Sequence, residues 1–296
     1  MALVQYSDSE SDAEQEAPPR KINKIQDPPS HHRPIASLPP LPASFHDLYA
    51  SSTRVSVRDD PSLHGGRKRV IPHVEGNWPT HIYLEWYPSK EELGILGNII
   101  TQAEHMLRGE QAKLHSLLHS DLGAQLPLHI SLSRPVVLRT EEREPFMDSF
   151  QGALQNSEIS AFDVQLENLD WVSNSEKTRW FYVLRARRPD KDDLNRLLRL
   201  SNGSLGYFGQ PALYKPASPA SKLDEPQRRT QDSEHSPNDL TECFHVSIAW
   251  SLAHPSLEDT ERMESINLQG LNDLRVHFDC VKAKIGNNVS SIPLPR

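Results

Sequence analysis

Hydrophobic and polar residues alternate with a period of two in several stretches between residues 80 and 295, and between them the period lengthens to that of a helix. Thr80 to Pro88 (THIYLEWYP) reads as a strand. Ser89 opens a helix with Glu92 three positions on, a capping-box pattern, and the helical pattern extends to about Ser120, weakened at Gly94 and Gly97. Leu126 to Val136 (LPLHISLSRPV) is a strand. Glu141 to Asn156 is a helix interrupted or restarted near Pro145. AFDVQLENLDWVS and RWFYVLRAR form a strand pair turning near Asn174-Ser175, and Pro189 starts a helix that continues through LNRLLRL. FHVSIAW is a strand, Leu257 to Leu268 a helix, and LRVHFDCVKAKI one long final strand.

No such period runs through residues 1–65, which are acidic at the start and then rich in Ser and Pro, as a disordered tail would be. The catalytic-size domain is therefore expected over 66–296, with a Pro-, Ser- and charge-rich insertion at 217–242. The elements interleave irregularly, with hairpin-like pairs and no Gly-rich phosphate loop, which favours an α+β fold with antiparallel sheets over a doubly wound one. The order strand, helix, His-x-Ser strand occurs twice and points to two similar lobes.

Composition narrows the classes. No apolar run is long enough to span a membrane, and Met1 to Glu16 is unlike a signal peptide. With only Cys243 and Cys280, there is no disulfide framework and no Cys-based zinc pattern. A net charge of −8 speaks against a protein that coats nucleic acid, though not against an enzyme that grips one RNA end. Arg67-Lys68-Arg69 and the cluster Arg185, Arg187, Arg188 read as solvated charge, and Asn77, Trp78 and His81 as structural.

The candidate chemistry lies in His-x-Ser, which occurs three times. His254-Pro255-Ser256 contains Pro and reads as a loop. The other two, Leu128-His129-Ile130-Ser131-Leu132 and Phe244-His245-Val246-Ser247-Ile248, alternate strictly. Side chains two apart on a strand share a face, so each segment sets an imidazole beside a hydroxyl and turns its aliphatics the other way. Cleaving RNA through its own 2′-hydroxyl needs a base for that proton and an acid for the departing 5′-oxygen. Histidine, with an ordinary pKa of about 6.5, serves either task near neutrality. The two hydroxyls can donate to the non-bridging phosphate oxygens. Nothing in this scheme requires a metal or another cofactor.

These paired strands resemble the two-histidine (2H) phosphoesterase superfamily, and within it the eukaryotic U6 small nuclear RNA phosphodiesterase family. The matching stretches are GNWPTHIYLEWYP, LHISLSRPVVLR, FHVSIAW and VKAKIGNNVSSIPL. The resemblance implies a bilobal, LigT-like fold: two antiparallel sheets with outer helices around a central cleft, related by a pseudo-twofold axis. It implies 3′-to-5′ trimming of the oligouridylate tail of U6 RNA in the nucleus, leaving a 2′,3′-cyclic phosphate or a 3′-phosphate, by a monomer without metal. It implies His129 and His245 as catalytic residues, Ser131 and Ser247 as phosphate binders, and Tyr214 as the aromatic ring that stacks on the terminal base. Two rivals stand beside this reading: a 2′,3′-cyclic phosphodiesterase acting on small or tRNA-derived substrates, and a non-catalytic RNA-binding protein.

Overall fold

The computed structural model describes residues 74–107, 113–174, 176–214, 239–268, 270–271 and 273–295. The expected tail, the Arg67–Arg69 cluster and most of the expected insertion lie outside them.

Among the described residues ten strands form the framework: β1 (Asn77–Trp86), β2 (His115–Ser116), β3 (Leu128–Ser131), β4 (Val136–Arg139), β5 (Phe162–Ser173), β6 (Trp180–Ala186), β7 (His245–Ser251), β8 (Arg275–Phe278), β9 (Cys280–Ile285) and β10 (Asn288–Pro293). Four α-helices accompany them among the described residues: α1 (Lys90–Met106), α2 (Arg143–Gln155), α3 (Asp193–Tyr207) and α4 (Leu257–Met263). The strands run in the order β10-β9-β1-β3-β7-β6-β5-β8, with β4 beside β1 and β2 beside β7, and every pairing is antiparallel. The α+β class thus holds. The separate sheets expected from the sequence do not: the two groups of strands meet edge to edge at β3 and β7 and make one sheet.

That sheet must curl. Six strand-to-strand steps separate β9 from β8 along its path, about 29 Å at the usual spacing. Yet only Asp279 stands between them in the chain, and one intervening residue bridges roughly 7 Å. The two ends of the path are therefore brought together, with β8 also touching β1. The apolar positions of LRVHFDCVKAKI fall at Leu274, Val276 and Phe278 and then at Val281, Ala283 and Ile285, so the alternation changes phase across Asp279-Cys280, where the one strand expected from the sequence divides into two. The backbone carbonyl of Asp279 accepts a hydrogen bond from Leu294 N at 2.8 Å, which ties the junction to the end of β10.

The helices form as the local signals dictate. Ser89 and Glu92 make the full capping box of α1, with Ser89 N donating to Glu92 Oε2 at 2.6 Å and Glu92 N to Ser89 Oγ at 3.3 Å. Leu96, Ile99, Ile100 and Ala103 are its buried stripe. The helix stops at Met106 rather than near Ser120, because His115 and Ser116 leave the helical path to pair with β7. In α2, Pro145 is the third residue, where no intrahelical N–H is lost, so it opens the helix without breaking it. α3 begins at Asp193, four residues after Pro189, because Asp192 takes a left-handed conformation (φ 58°) and restarts the chain direction. α4 ends at Met263 rather than Leu268, and Ser256 caps it by accepting from Asp259 N at 3.1 Å. The third His-x-Ser is thus a helix cap, as its loop character implied.

Leu96, Phe146, Phe150, Leu197 and Leu205 from the helices join Ile82, Leu84, Ile130, Val246 and Leu184 from the strands in one buried cluster. One face of the sheet is spent on this core. The polar partners in each alternation go to the opposite face. Among the described residues no helix is long and apolar enough to cross a membrane.

Candidate active site

The two motif strands lie side by side. β3 and β7 pair antiparallel with Ile130 opposite Val246, and both residues are fully buried. Leu128, Phe244 and Ile248 are buried on the same side. Continuing the register, His129 faces Ser247 and Ser131 faces His245, all four on the face away from the core. Directly opposed Cβ atoms in such a pair are about 5 Å apart and diagonal ones about 7–8 Å, so the two imidazoles stand diagonally with room for a phosphate between them. Immediately after Ser131 the strand breaks: Leu132 N and Ser133 N both donate to Ile82 O, at 2.9 and 3.1 Å, and buried Ser133 Oγ accepts from Ile82 N at 2.8 Å. The kink ends β3 beside the motif and lets β4 resume alongside the first half of β1.

Each histidine has its own surroundings. His245 Nδ1 lies 2.7 Å from the Cys243 carbonyl, an acceptor only, so Nδ1 carries a proton and Nε2 is the nitrogen left to exchange one. Arg185 is directly across the strand and is anchored by Asp170 and by the Glu242 carbonyl at 2.7 Å. Burial holds the His245 pKa below its usual value; the Cys243 carbonyl opposes this, Arg185 adds to it, and Asp170 opposes it. His129 is crowded by protein on its inner side, and this, with the neighbouring charge of His245, lowers its pKa to about 4. Its outer side is exposed. Because water reaches that side of the ring, the direction of the shift is what the chemistry uses.

The sequence reads two members of this face differently, His81 as structural and Arg185 as solvated charge. His81 on β1 places Nε2 3.2 Å from Ser131 Oγ, stacks on Tyr83 and meets the edge of His129. Its pKa falls to about 3, through burial first and then through His129 and Lys284, with the Ser133 backbone opposing. Arg185 is the other, placed beside His245 rather than in open solvent. A signal for His81 was present: His81, Tyr83 and Glu85 alternate with Ile82, Leu84 and Trp86 just as the motif residues do.

Tyr214 is brought to the same region, its ring 6.0 Å from that of Phe244 in an edge-to-face contact. Its backbone sits at φ 49°, which is uncommon for a bulky residue. The residue before it is clamped at both ends: Leu213 N donates to Asn202 Oδ1 and Asn202 Nδ2 donates to Leu213 O, each at 2.9 Å. Burial raises the Tyr214 pKa and keeps the phenol protonated; Cys243 adds to the shift and Arg185 opposes it. The last four residues of the expected insertion belong to this folded region: Asp239 accepts from Asn195, Thr241 and Arg188. Cys243 and Cys280 are half-buried free thiols whose pKa values burial pushes up.

Two hollows lie elsewhere, about 330 Å³ beside Trp78 and Arg143 and about 500 Å³ between Arg187, Lys191 and Arg275. None of the four motif residues lines either one. Among the described residues no group of three or more His, Cys, Asp or Glu side chains is arranged to hold a metal ion.

Three imidazoles held below their ordinary pKa have a consequence for stability. Between the unfolded value of about 6.5 and the lower folded values, the unfolded chain binds more protons, so stability rises with pH there. The contribution is complete above that window and is lost as pH falls through it. The urea midpoint should decrease steadily from pH 7 to pH 5. A flat or rising midpoint would mean the rings are not held neutral by the fold.

A family model described as "HVSL: Uncharacterised conserved protein" matches residues 39–293. U6 snRNA phosphodiesterase 1 of Neurospora crassa is 34% identical over 295 residues, covering 88% of this chain and 75% of that protein. The Drosophila melanogaster protein of the same name is 32% identical over 97% of both chains, and the Homo sapiens one 27% over 99% of this chain and 98% of its own. A solved structure of Kluyveromyces marxianus Usb1 with uridine monophosphate is 19% identical, covers 74% of this chain and 99% of that one, and superposes with a TM-score of 0.49. The chain belongs to the HVSL family, together with the U6 snRNA phosphodiesterases 1.

Proposed function

We propose that this chain is a phosphodiesterase that shortens the 3′ end of U6 small nuclear RNA, acting on its oligouridylate tail. The observation that carries the reading is the antiparallel seating of β3 on β7 about Ile130 and Val246, which gathers two imidazoles and two hydroxyls on one face. One imidazole takes the proton of the 2′-hydroxyl next to the scissile phosphate. The freed oxygen attacks phosphorus, the bond to the 5′-oxygen of the terminal nucleotide breaks, and the second imidazole protonates that oxygen. The shortened RNA carries a 2′,3′-cyclic phosphate, which water can open to a 3′-phosphate with the two imidazoles exchanging tasks. Ser131 and Ser247 donate to the non-bridging oxygens, where negative charge gathers. Tyr214 supplies a ring for the terminal base, a contact worth roughly 1–3 kcal/mol that accepts any base.

The lengthwise match to the U6 snRNA phosphodiesterases 1 supports the substrate. The sheet order β1-β3-β7-β6, with α1 between β1 and β3 in the chain and α3 between β6 and β7, supports a bilobal 2H arrangement about the β3–β7 seam. The reading further holds that the enzyme works as a nuclear monomer without metal, and that residues 1–65 are a tail apart from the chemistry. The direct test is to incubate the purified chain with a short oligouridylate bearing a 3′-hydroxyl and to weigh the products. Shortened RNA ending in a cyclic phosphate or 3′-phosphate is expected. Products ending in a 3′-hydroxyl, or no shortening, would overturn the reading.

A further inference from the structure

The proposed reaction leaves His81 without a task, although its ring stands among the reacting groups. It is stacked on Tyr83 with ring centroids 5.1 Å apart, and His129 meets it edge-on at 5.4 Å. Lys284 lies directly across from it on β9, and Tyr83 directly across from Ser131 on β3. These contacts hold Nε2 at 3.2 Å from Ser131 Oγ.

A serine hydroxyl rotates freely unless something fixes it. To help a phosphate it must point its single proton at the anion, which leaves its lone pairs to accept from a donor behind. We infer that His81 is the positioning residue for Ser131: its Nε2–H donates to Oγ and so turns the hydroxyl proton toward the phosphate oxygen. The inference rests on the phosphate-binding role proposed above for Ser131.

A neutral His81 carries one ring proton, for which the Ser133 backbone also competes. The bound anion decides between the two tautomers. Only with the proton on Nε2 does each link from ring to hydroxyl to phosphate donate forward, and such chains strengthen one another. Held neutral by burial, by His129 and by Lys284, the ring orients the hydroxyl without adding a third titrating group to the exchange between His129 and His245.

A double-mutant cycle on the full chain tests this, with turnover measured on a short oligouridylate. His81→Phe keeps a ring and removes the donor. It should lower kcat about tenfold, a fraction of what losing a whole donor to the developing charge costs, with KM changed less than about twofold. His81→Gln, whose amide N–H reaches about as far as Nε2, should recover much of the loss. His81→Asn, too short to reach, should behave like His81→Phe and keeps the cycle readable if the Phe variant does not fold. Against Ser131→Ala, neither His81→Phe nor His81→Asn should lower kcat further, since the group they act through is gone. Additive losses would overturn the inference and leave the proposed function standing, as would wild-type kcat in both variants or a Gln variant as slow as Phe. Wild-type turnover of Ser131→Ala would instead remove the serine's proposed role, and the inference with it.

Discussion

His129→Ala and His245→Ala are each expected to reduce turnover of an oligouridylate by about 10³-fold or more, and the double variant should be little slower than either. General acid or base catalysis by one positioned group contributes roughly 10²–10⁴-fold. Here the two groups serve opposite ends of one displacement, so removing one disables the step that the other assists, and their losses do not add. Both side chains point away from the core that Ile130 and Val246 occupy, so the variants should retain a cooperative thermal transition. Single variants with turnover close to wild type, or losses that multiply in the double variant, would show that the imidazoles do not act as a pair.

A comparable loss should follow from removing one oxygen atom from the substrate. The 2′-hydroxyl next to the scissile phosphate is already tethered to it, and tethering accounts for a large part of the rate of such attacks. That hydroxyl belongs to the penultimate nucleotide. An oligouridylate with hydrogen or O-methyl at this one position should keep its terminal residue. The same change on the terminal nucleotide itself should be tolerated better, because that hydroxyl takes no part in bond making. Mass analysis of the two RNAs after incubation distinguishes them. Efficient trimming of the penultimate 2′-deoxy RNA would mean that water attacks directly and that His129 and His245 are not a transesterification pair.

The sequence made the motif strands readable because their information is local. Leu128 to Leu132 and Phe244 to Ile248 alternate strictly, and a period of two with one apolar side leaves a single way to face a core. The helix start at Ser89 was readable for the same reason, since a capping box is complete within four residues. Where the outcome depended on distant partners, local pattern was insufficient. His81 carries the same alternation as the motif, but nothing in its neighbourhood says that β1 lies between β9 and β3 with His81 reaching Ser131. Arg185 looked like one of three similar arginines; pairing with His245 on β7 separates it from Arg187 and Arg188, which line a hollow elsewhere. The break at Asp279 shows in the sequence only as a change of phase between Phe278 and Val281, which does not say that the residues before and after it go to different neighbours, β5 and β1.

That break also sets an order of events at the ribosome. β1 has β9 along one edge, and β9 with β10 comprises Cys280 to Pro293, synthesised long after β1. β8, which completes the opposite end of the sheet, emerges only just before them. A nascent chain still holding Cys280 to Pro293 in the exit tunnel therefore carries β1 with an open edge and a sheet that cannot close. Contacts of such long sequence separation form slowly, and open strand edges invite wrong pairings in the interval. The Lys284 side of His81 is supplied in that same step, so the face that carries His81, His129 and His245 has all its neighbours only once β9 has emerged.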